Sequence, residues 1–291
     1  MMQVKVISIN FIYIYIMDIR NIKEGAPKVD NFQYLEQMFQ LGKEQLSAYI
    51  NNGPEDLPEE FPLNVNIPKN QIVLKDFINR VIEELMEGYE STQAAFGIIS
   101  EKGWNNELLK DDEVEELNNH LQNACEEQAD AVGFFMTLFL YANIGPEDIY
   151  EFAKVYSYCK VENLYDVMGV GQNYQDLDID ENHLFCLPIL EKNEDYIPGF
   201  YEMNMYSHLV TEKEAIFNTV YYLNMARNSL KCRPWKNTQI MTKEIEFQEY
   251  LVNAFYMYMG FLKQFKFSPR RIYIEYFKKF KLNMWRIASA Y

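Results

Sequence analysis

The segment Glu127–Leu140 reads EQADAVGFFMTLFL and gives the clearest indication of the fold. Its apolar residues recur at spacings of three and four, as in a helix with one buried face. Similar spacing predicts helices at 31–51, 70–100, 113–143, 146–160, 211–230, 242–265 and 269–287. The chain has only 12 Gly and 10 Pro in 291 residues, which favours long helices over turn-rich β structure. We therefore expect an all-α, multi-helix bundle.

The helical pattern repeats 123 residues further along the chain. Ala131–Leu140 aligns with Ala254–Lys263, and Pro146, which begins a predicted helix, aligns with Pro269. An offset shared by two successive helices indicates an internal duplication. We therefore expect a single compact domain that contains a pseudo-repeat.

The chain divides into an N-terminal extension at 1–30 and an all-α domain at 31–291. Within the domain, 70–160 forms the first half, 161–210 a loop-rich insert and 211–291 the second half. The extension contains the apolar stretch Val4–Met17, which is shorter than the roughly 20 residues of a spanning helix. No small-residue cleavage site follows it, so it does not resemble a signal peptide. It is either a strand or a dispensable extension, and we expect no membrane role.

The charge of the chain is strongly acidic, with 27 Lys and Arg against 43 Asp and Glu and a formal net charge of −16. Such a surface repels phosphodiester backbones and anionic lipid, which excludes a non-specific nucleic-acid binder. An anionic substrate would therefore need a metal ion or a local basic cluster. The 4 cysteines are scattered without a C-x-x-C pair, which favours a reducing cytoplasm.

Two pairs of carboxylates, Glu84 with Glu87 and Glu127 with Asp130, have an i, i+3 spacing on predicted helices. Each pair therefore lies on one helix face, about 5–6 Å apart at Cβ. Glu127 falls within an apolar stripe, where a carboxylate is costly unless a cation compensates it. Oxygen ligands of this kind suit Mg²⁺ or Mn²⁺. The alternative is a solvated acidic face, which we assign to Glu83, Glu113, Glu115 and Glu116.

The second half of the predicted repeat lacks these acids. Tyr250 and Asn253 take the place of the second pair at the 123-residue offset. When the repeat is aligned on Trp104 and Trp235 instead, Ala215 and Asn218 take the place of the first pair. A solvated face would tolerate charge in both halves. The asymmetry therefore predicts one metal site, in the first half.

The last predicted helix is basic. Tyr276, Lys279, Asn283 and Arg286 follow one another at spacings of three, four and three residues, which keeps them on one face. Lys and Arg are the residue types that hold phosphates. Basic residues near a helix C-terminus also complement the helix dipole, and this structural alternative stays open.

These ordered motifs resemble the all-α NTP pyrophosphatases, specifically the dimeric dUTPase and phage dCTPase/dUTPase group. That family has an ExxE helix, a connector with a tryptophan, an ExxD helix and a late Y-x-x-K-N-x-x-N-x-x-R helix. The matching residues are Glu84, Glu87, Trp104, Glu127, Asp130, Tyr276, Lys279, Asn283 and Arg286. The resemblance spans 31–291.

The resemblance implies hydrolysis of a deoxynucleoside triphosphate, dUTP first and otherwise dCTP or another, to a monophosphate and pyrophosphate. It also implies a homodimer; the alternative is that a chain with its own internal repeat stands alone. The implied ligands of Mg²⁺, or of Mn²⁺, are Glu84, Glu87, Glu127 and Asp130, with Glu84 also the implied general base. The implied phosphate ligands are Lys279, Asn283 and Arg286, with Tyr276 nearby.

Three positions depart from the family pattern. The family's first helix carries a base-reading Gln in a pattern like MFxLQ, but here Gly42 follows the similar residues 38–41. Gly133 stands where a His often follows ExxD, and Phe280 replaces the Asn after the motif Lys. The implied base-binding residues are then Gln40, Gln45 and Trp104. The alternative function is a non-catalytic module on the same fold, which senses nucleotides or binds a protein.

Overall fold

The computed structural model describes residues 34–53, 57–102, 110–149, 212–231, 243–264 and 269–289. Its long helices are α1 Tyr34–Asn52, α2 Pro68–Lys102, α3 Asp111–Tyr141, α4 Glu212–Ser229, α5 Glu244–Gln264 and α6 Pro269–Ala288. No strand occurs within these ranges, so the prediction of an all-α, multi-helix fold is confirmed. None of the described helices combines the length and the apolarity that crossing a bilayer requires.

The ends of these helices agree with the predicted ends to within three residues. The helix predicted from Pro146 begins as expected and is helical over 146–149, where the described segment ends. The extension at 1–30 and the insert at 161–210 lie outside the described residues.

α2 and α3 form a long antiparallel hairpin whose register is visible in successive contacts. The rings of Phe77 and Phe134 lie 6.0 Å apart, and further along α2 the Asn123 amide donates a hydrogen bond to Ser91 Oγ at 2.7 Å. Between these levels the Gln128 side chain occupies the space beside Gly88, where an added Cβ would collide with it. Because the two helices run in opposite directions, residue numbers rise along α2 as they fall along α3. Residues 84–87 therefore lie opposite residues 127–130.

α5 also packs against α3, through large aromatic side chains. Phe135 stacks on Tyr258 with their ring centroids 5.4 Å apart. The Tyr258 hydroxyl donates to the Gln128 carbonyl at 2.8 Å, and Gln248 Nε2 donates to the Ala142 carbonyl at 2.7 Å. The two helices are therefore antiparallel. Phe135 and Tyr258 occupy equivalent positions in the predicted repeat, because they are 123 residues apart. If the two halves are related by a two-fold pseudo-symmetry axis, equivalent residues can face each other, as these two rings do. The duplication itself stays a prediction.

α1 and α6 cover the hairpin. α1 packs against both α6 and α3, and α6 packs against α3. Apolar side chains hold these contacts: Phe39 of α1 stacks on Phe139 at 5.9 Å, and Tyr273 and Phe277 of α6 are buried. As a result, the basic face of α6 lies beside the α2–α3 hairpin.

The loop before α2 is tied to the hairpin by its backbone. The Leu63 amide donates to the Tyr141 carbonyl at 2.9 Å, and the buried Gln71 side chain donates to the Val65 carbonyl at 2.7 Å. Leu63 and Val65 are buried, which anchors the loop further. The loop therefore has a fixed position beside the end of α3.

Candidate functional site

Three of the four predicted acidic ligands converge between α2 and α3. Glu84, Glu87 and Glu127 each offer one carboxylate oxygen, and the three oxygens lie within 4.8 Å of one another. Glu84 and Glu127 are half-buried, whereas Glu87 is exposed. The antiparallel register of the hairpin produces this convergence, since it sets the two acidic motifs at one level. We call these three residues the carboxylate triad.

Two members of the triad share a proton near neutral pH. Burial raises the pKa of Glu84 to about 8, and the hydrogen bond to Glu127 and the charges of the other acids add to this effect. Burial also raises the pKa of Glu127, although the hydrogen bond from Glu84 lowers it. The two groups titrate as a pair, in which a protonated Glu84 donates to an ionised Glu127.

Asp130, the fourth predicted ligand, is not part of the triad because it forms an ion pair with α6. Lys279 Nζ lies 2.5 Å from Asp130 Oδ2, and both side chains are largely buried. Burial raises the pKa of Asp130, while the hydrogen bond and the charge of Lys279 oppose that shift. The contact joins the predicted acidic motif directly to the predicted phosphate-binding helix.

A cleft of about 260 Å³ opens beside the triad, between the hairpin and α1 and α6. Glu84 and Asp130 line it from the hairpin. All four residues predicted to bind or flank phosphates line it from α6, namely Tyr276, Lys279, Asn283 and Arg286. The structure therefore brings two of the four predicted acids and the whole predicted basic set to one cavity, although they lie far apart in sequence.

Tyr276 fills the space beside two of the glycines that depart from the family pattern. An added Cβ on Gly42 would lie 3.1 Å from the Tyr276 hydroxyl, and one on Gly133 would lie 3.6 Å from the Tyr276 ring. Burial raises the pKa of Tyr276 above its ordinary value, so the hydroxyl stays neutral. Gly42 thus admits the buried side chain of Tyr276 at the wall of the cleft, whereas a Cβ at Gly133 would make only ordinary van der Waals contact with it.

The predicted base-binding residues have different positions. Gln45 lines the cleft, and its Oε1 atom is buried without a hydrogen-bond partner among the described residues. Gln40 is exposed, donates to Glu44 at 2.9 Å and does not line this cleft. Five helical positions separate the two amides by about 140°, so they cannot face the same side. Trp104 lies outside the described residues.

Arg80 and the aromatic residues around it were not predicted from the sequence. Arg80, Phe77 and Phe134 line the cleft together with Tyr49 of α1. Arg80 precedes Glu84 by four residues, so helical periodicity would have placed it on the same face of α2. A basic residue one helical turn before the first acidic motif was therefore the sequence feature from which Arg80 could have been predicted as part of the site.

The triad suits a divalent cation of the hard, oxygen-preferring kind. Three carboxylate oxygens are donors that Mg²⁺ and Mn²⁺ accept. The raised pKa of Glu84 shows that the carboxyl groups are crowded and partly desolvated, a condition that a bound cation would relieve. The residues present therefore fit such an ion, and Lys279, Asn283 and Arg286 line the adjacent cleft as donors for an anionic group.

Comparison of the chain with protein-family models, with curated proteins and with solved structures finds no match.

Proposed function

We propose that this chain is a metal-dependent nucleoside triphosphate pyrophosphatase that hydrolyses a deoxynucleoside triphosphate, dUTP first, to a monophosphate and pyrophosphate. The observation that carries the proposal is that Glu84, a member of the carboxylate triad, lines the same cleft as the basic residues of α6. The carboxylate triad lies at the hairpin, and Lys279, Asn283 and Arg286 lie on the facing wall. The assignment of the reaction, hydrolysis to a monophosphate and pyrophosphate, rests on the resemblance of the ordered motifs to those of the all-α NTP pyrophosphatases.

The divalent ion, when bound by Glu84, Glu87 and Glu127, would neutralise phosphate charge and activate a water. Lys279 and Arg286 would donate to phosphate oxygens, and Asn283 would add a neutral amide donor. Lys279 presents three N–H donors, so it can bind a phosphate while it keeps or releases Asp130. Glu84 is the candidate base, as the resemblance implies, because it is the member of the triad that lines the cleft beside the proposed phosphate ligands.

The alternative proposal is a non-catalytic module that binds nucleotides or a protein partner on the same fold. The specific observation in its favour is the ion pair between Asp130 and Lys279, which occupies one residue of each predicted set. Phe280, which replaces a family amide, also lines the cleft. Tight binding of a nucleotide with Mg²⁺ but without product would support this alternative.

The test is release of pyrophosphate from each of the four common dNTPs and dUTP, with Mg²⁺ or Mn²⁺. We expect turnover of at least one nucleotide by the wild type and a loss of about 10²–10⁴-fold in Glu84→Gln. Glu83→Gln is the matched control, because Glu83 is the adjacent, exposed carboxylate. Absence of turnover with every nucleotide, or equal activity of the two variants, would contradict the proposal.

The proposed assembly is a homodimer acting in the cytoplasm, as the resemblance and the cysteine composition suggest. Light scattering coupled to size-exclusion chromatography measures the mass in solution against the 34.6 kDa of one chain. A mass of one chain at micromolar concentration would contradict the dimer but not the activity.

A further inference from the structure

Arg80 is held in a fixed place on the wall of the cleft. Its Nε lies 2.9 Å from Asp76 Oδ2, one turn earlier on α2. Its guanidinium carbon lies 5.2 Å from the centroid of the Phe77 ring and 5.8 Å from that of Phe134. Phe77 is buried, and its ring lies 6.0 Å from that of Phe134, so the two rings pack together beneath the guanidinium. The Arg80 side chain nevertheless stays 32% exposed, which leaves it accessible from the cleft.

The cleft has two chemically different ends along the hairpin. At 1.5 Å per residue, Arg80 lies roughly 6 Å and Phe77 roughly 10 Å along α2 from Glu84. Phe134 lies at the same roughly 10 Å from Glu127 along α3. One end is therefore the carboxylate triad with Lys279, and the other end is a guanidinium on two aromatic rings.

The aromatic end suits a neutral, planar group better than a phosphate. Asp76 already offsets part of the charge of Arg80, and the rings of Phe77 and Phe134 lie beside the guanidinium. Lys279 and Arg286, by contrast, stand near Asp130 at the acidic end. A guanidinium presents only donors, so its preferred neutral partner is a carbonyl oxygen. The neutral amide of Gln45, with its unpartnered Oε1 acceptor, lines the same cleft and would suit an N–H.

We propose that Arg80 is a specificity-determining residue that donates to a keto nucleobase, namely to O4 of uracil or thymine, or to O6 of guanine, the position at which cytosine and adenine carry an amino group. This inference rests on the proposed function, because it takes the substrate to be a nucleotide with its phosphates at the triad. Phe77 and Phe134 lie beside the guanidinium and support its position on the wall of the cleft. Asp76 is a positioning residue, since it acts on the base only through Arg80.

The experiment compares Arg80→Gln and Arg80→Lys with the wild type and with Arg227→Gln. Arg227 is exposed on α4 and does not line the cleft, so its variant controls for the loss of one positive charge. We expect Arg80→Gln to lower kcat/KM for keto nucleotides by about ten- to a hundred-fold, mainly through KM. The values for dCTP and dATP should change much less, and Arg80→Lys should recover part of the loss.

A binding measurement separates failure of this inference from failure of the proposed function. Thermal shifts with Mg²⁺ compare dUMP, which carries the base, with inorganic tripolyphosphate, which carries only phosphates. We expect Arg80→Gln to weaken dUMP binding and to leave tripolyphosphate binding unchanged, whether or not the wild type turns over any nucleotide. An equal loss for all bases, a parallel loss of tripolyphosphate binding, a wild type that prefers dCTP or dATP, or no response to dUMP would overturn the assignment.

Discussion

The shared proton between Glu84 and Glu127 is the most distinctive feature at the residue scale. Two carboxylates in contact cannot both ionise cheaply in a partly buried site, so one of them keeps its proton into the neutral range. An exposed acidic face would show no such effect. The shared proton therefore distinguishes the triad from the solvated carboxylates that cover the rest of this acidic chain.

The first prediction concerns the stability of the metal-free protein as pH changes. The pKa of Glu84 is about 8 in the folded chain against an ordinary 4.5, so the folded state binds the proton more tightly between these values. This contribution to stability is complete at low pH and is lost as the pH rises through about 8. We expect Glu84→Gln, which keeps a neutral side chain, to gain in Tm relative to the wild type as the pH rises.

The measurement is a series of thermal melts by circular dichroism in EDTA, from about two units below neutral pH to about two units above. Glu83→Gln should follow the wild type, because Glu83 is exposed and lies outside the triad. Parallel curves for the wild type and Glu84→Gln would show that the carboxyl pair holds no proton.

Sequence reasoning at the residue scale found side chains whose signal is local. Glu127 lies among apolar neighbours and Lys279 lies in a basic run, and both line or adjoin the cleft. The choice between Gln40 and Gln45 was not predictable, because it depends on which side of α1 meets α3 and α6. The ion pair of Lys279 with Asp130 was equally hidden, since it joins residues from helices distant in sequence.

At the scale of helices, small residues decide how closely elements approach the site. Gly42 of α1 and Gly133 of α3 face the same ring of Tyr276, but at different distances. Gly97 of α2 faces open space, where an added Cβ would meet nothing within 4 Å. The three glycines therefore differ in the space available for a side chain: Gly42 has the least, Gly133 has more and Gly97 has the most.

The second prediction ranks substitutions at these glycines. Gly97→Ala and Gly133→Ala should each stabilise the chain by up to about 1 kcal/mol, because alanine favours a helix and neither methyl group is obstructed. Gly42→Leu should destabilise it by about 1–3 kcal/mol, because its side chain must displace Tyr276 or Met136, both 3.1 Å from an added Cβ. Urea unfolding gives the free energies, and a neutral or stabilising Gly42→Leu would contradict the packing described.

Helix boundaries were predictable because their signals are local. Pro269 begins α6 as predicted. Asp111, Asp112 and Glu113 occupy the first turn of α3, where their negative charges interact favourably with the positive end of the helix dipole. The predicted start of α3 was two residues late because Asp111 and Asp112 were not counted as helical. The antiparallel register of α2 and α3, in contrast, depends on contacts such as that of Gly88 with Gln128, which no local pattern reveals.

At the scale of the whole molecule, the net charge of −16 opposes compaction. Much of this charge lies on exposed helix faces, such as Glu115 and Glu116 of α3. Salt screens that repulsion without regard to position, whereas a bound ion acts at one site. The two effects can be separated by comparing monovalent and divalent salts.

The third prediction is that MgCl₂ raises Tm more than KCl of equal ionic strength. A ligand that binds only the folded state stabilises it by about 2.7 kcal/mol at a hundred times its Kd. Glu127→Gln should lose the additional rise with MgCl₂ and keep the rise with KCl, since it removes one member of the triad. Glu126→Gln, which changes the adjacent exposed carboxylate, should behave as the wild type.

The outcome that would contradict this prediction is an equal rise with both salts. Equal shifts would mean that the triad is an acidic surface without affinity for a divalent ion. The proposed chemistry would then lose its cation, while the fold would be unaffected.

The register of the α2–α3 hairpin also determines where the chain can change in length. One residue inserted in α3 between Glu127 and Phe134 would rotate the Glu127 side chain by about 100° around the helix axis relative to Phe134. The carboxyl oxygens and the aromatic rings could then no longer share one groove. Residues 103–109 join the two helices and contribute no member of the triad, so additions there leave the spacing of the ligands intact. Evolutionary insertions should therefore accumulate in that connection and avoid the paired helical turns.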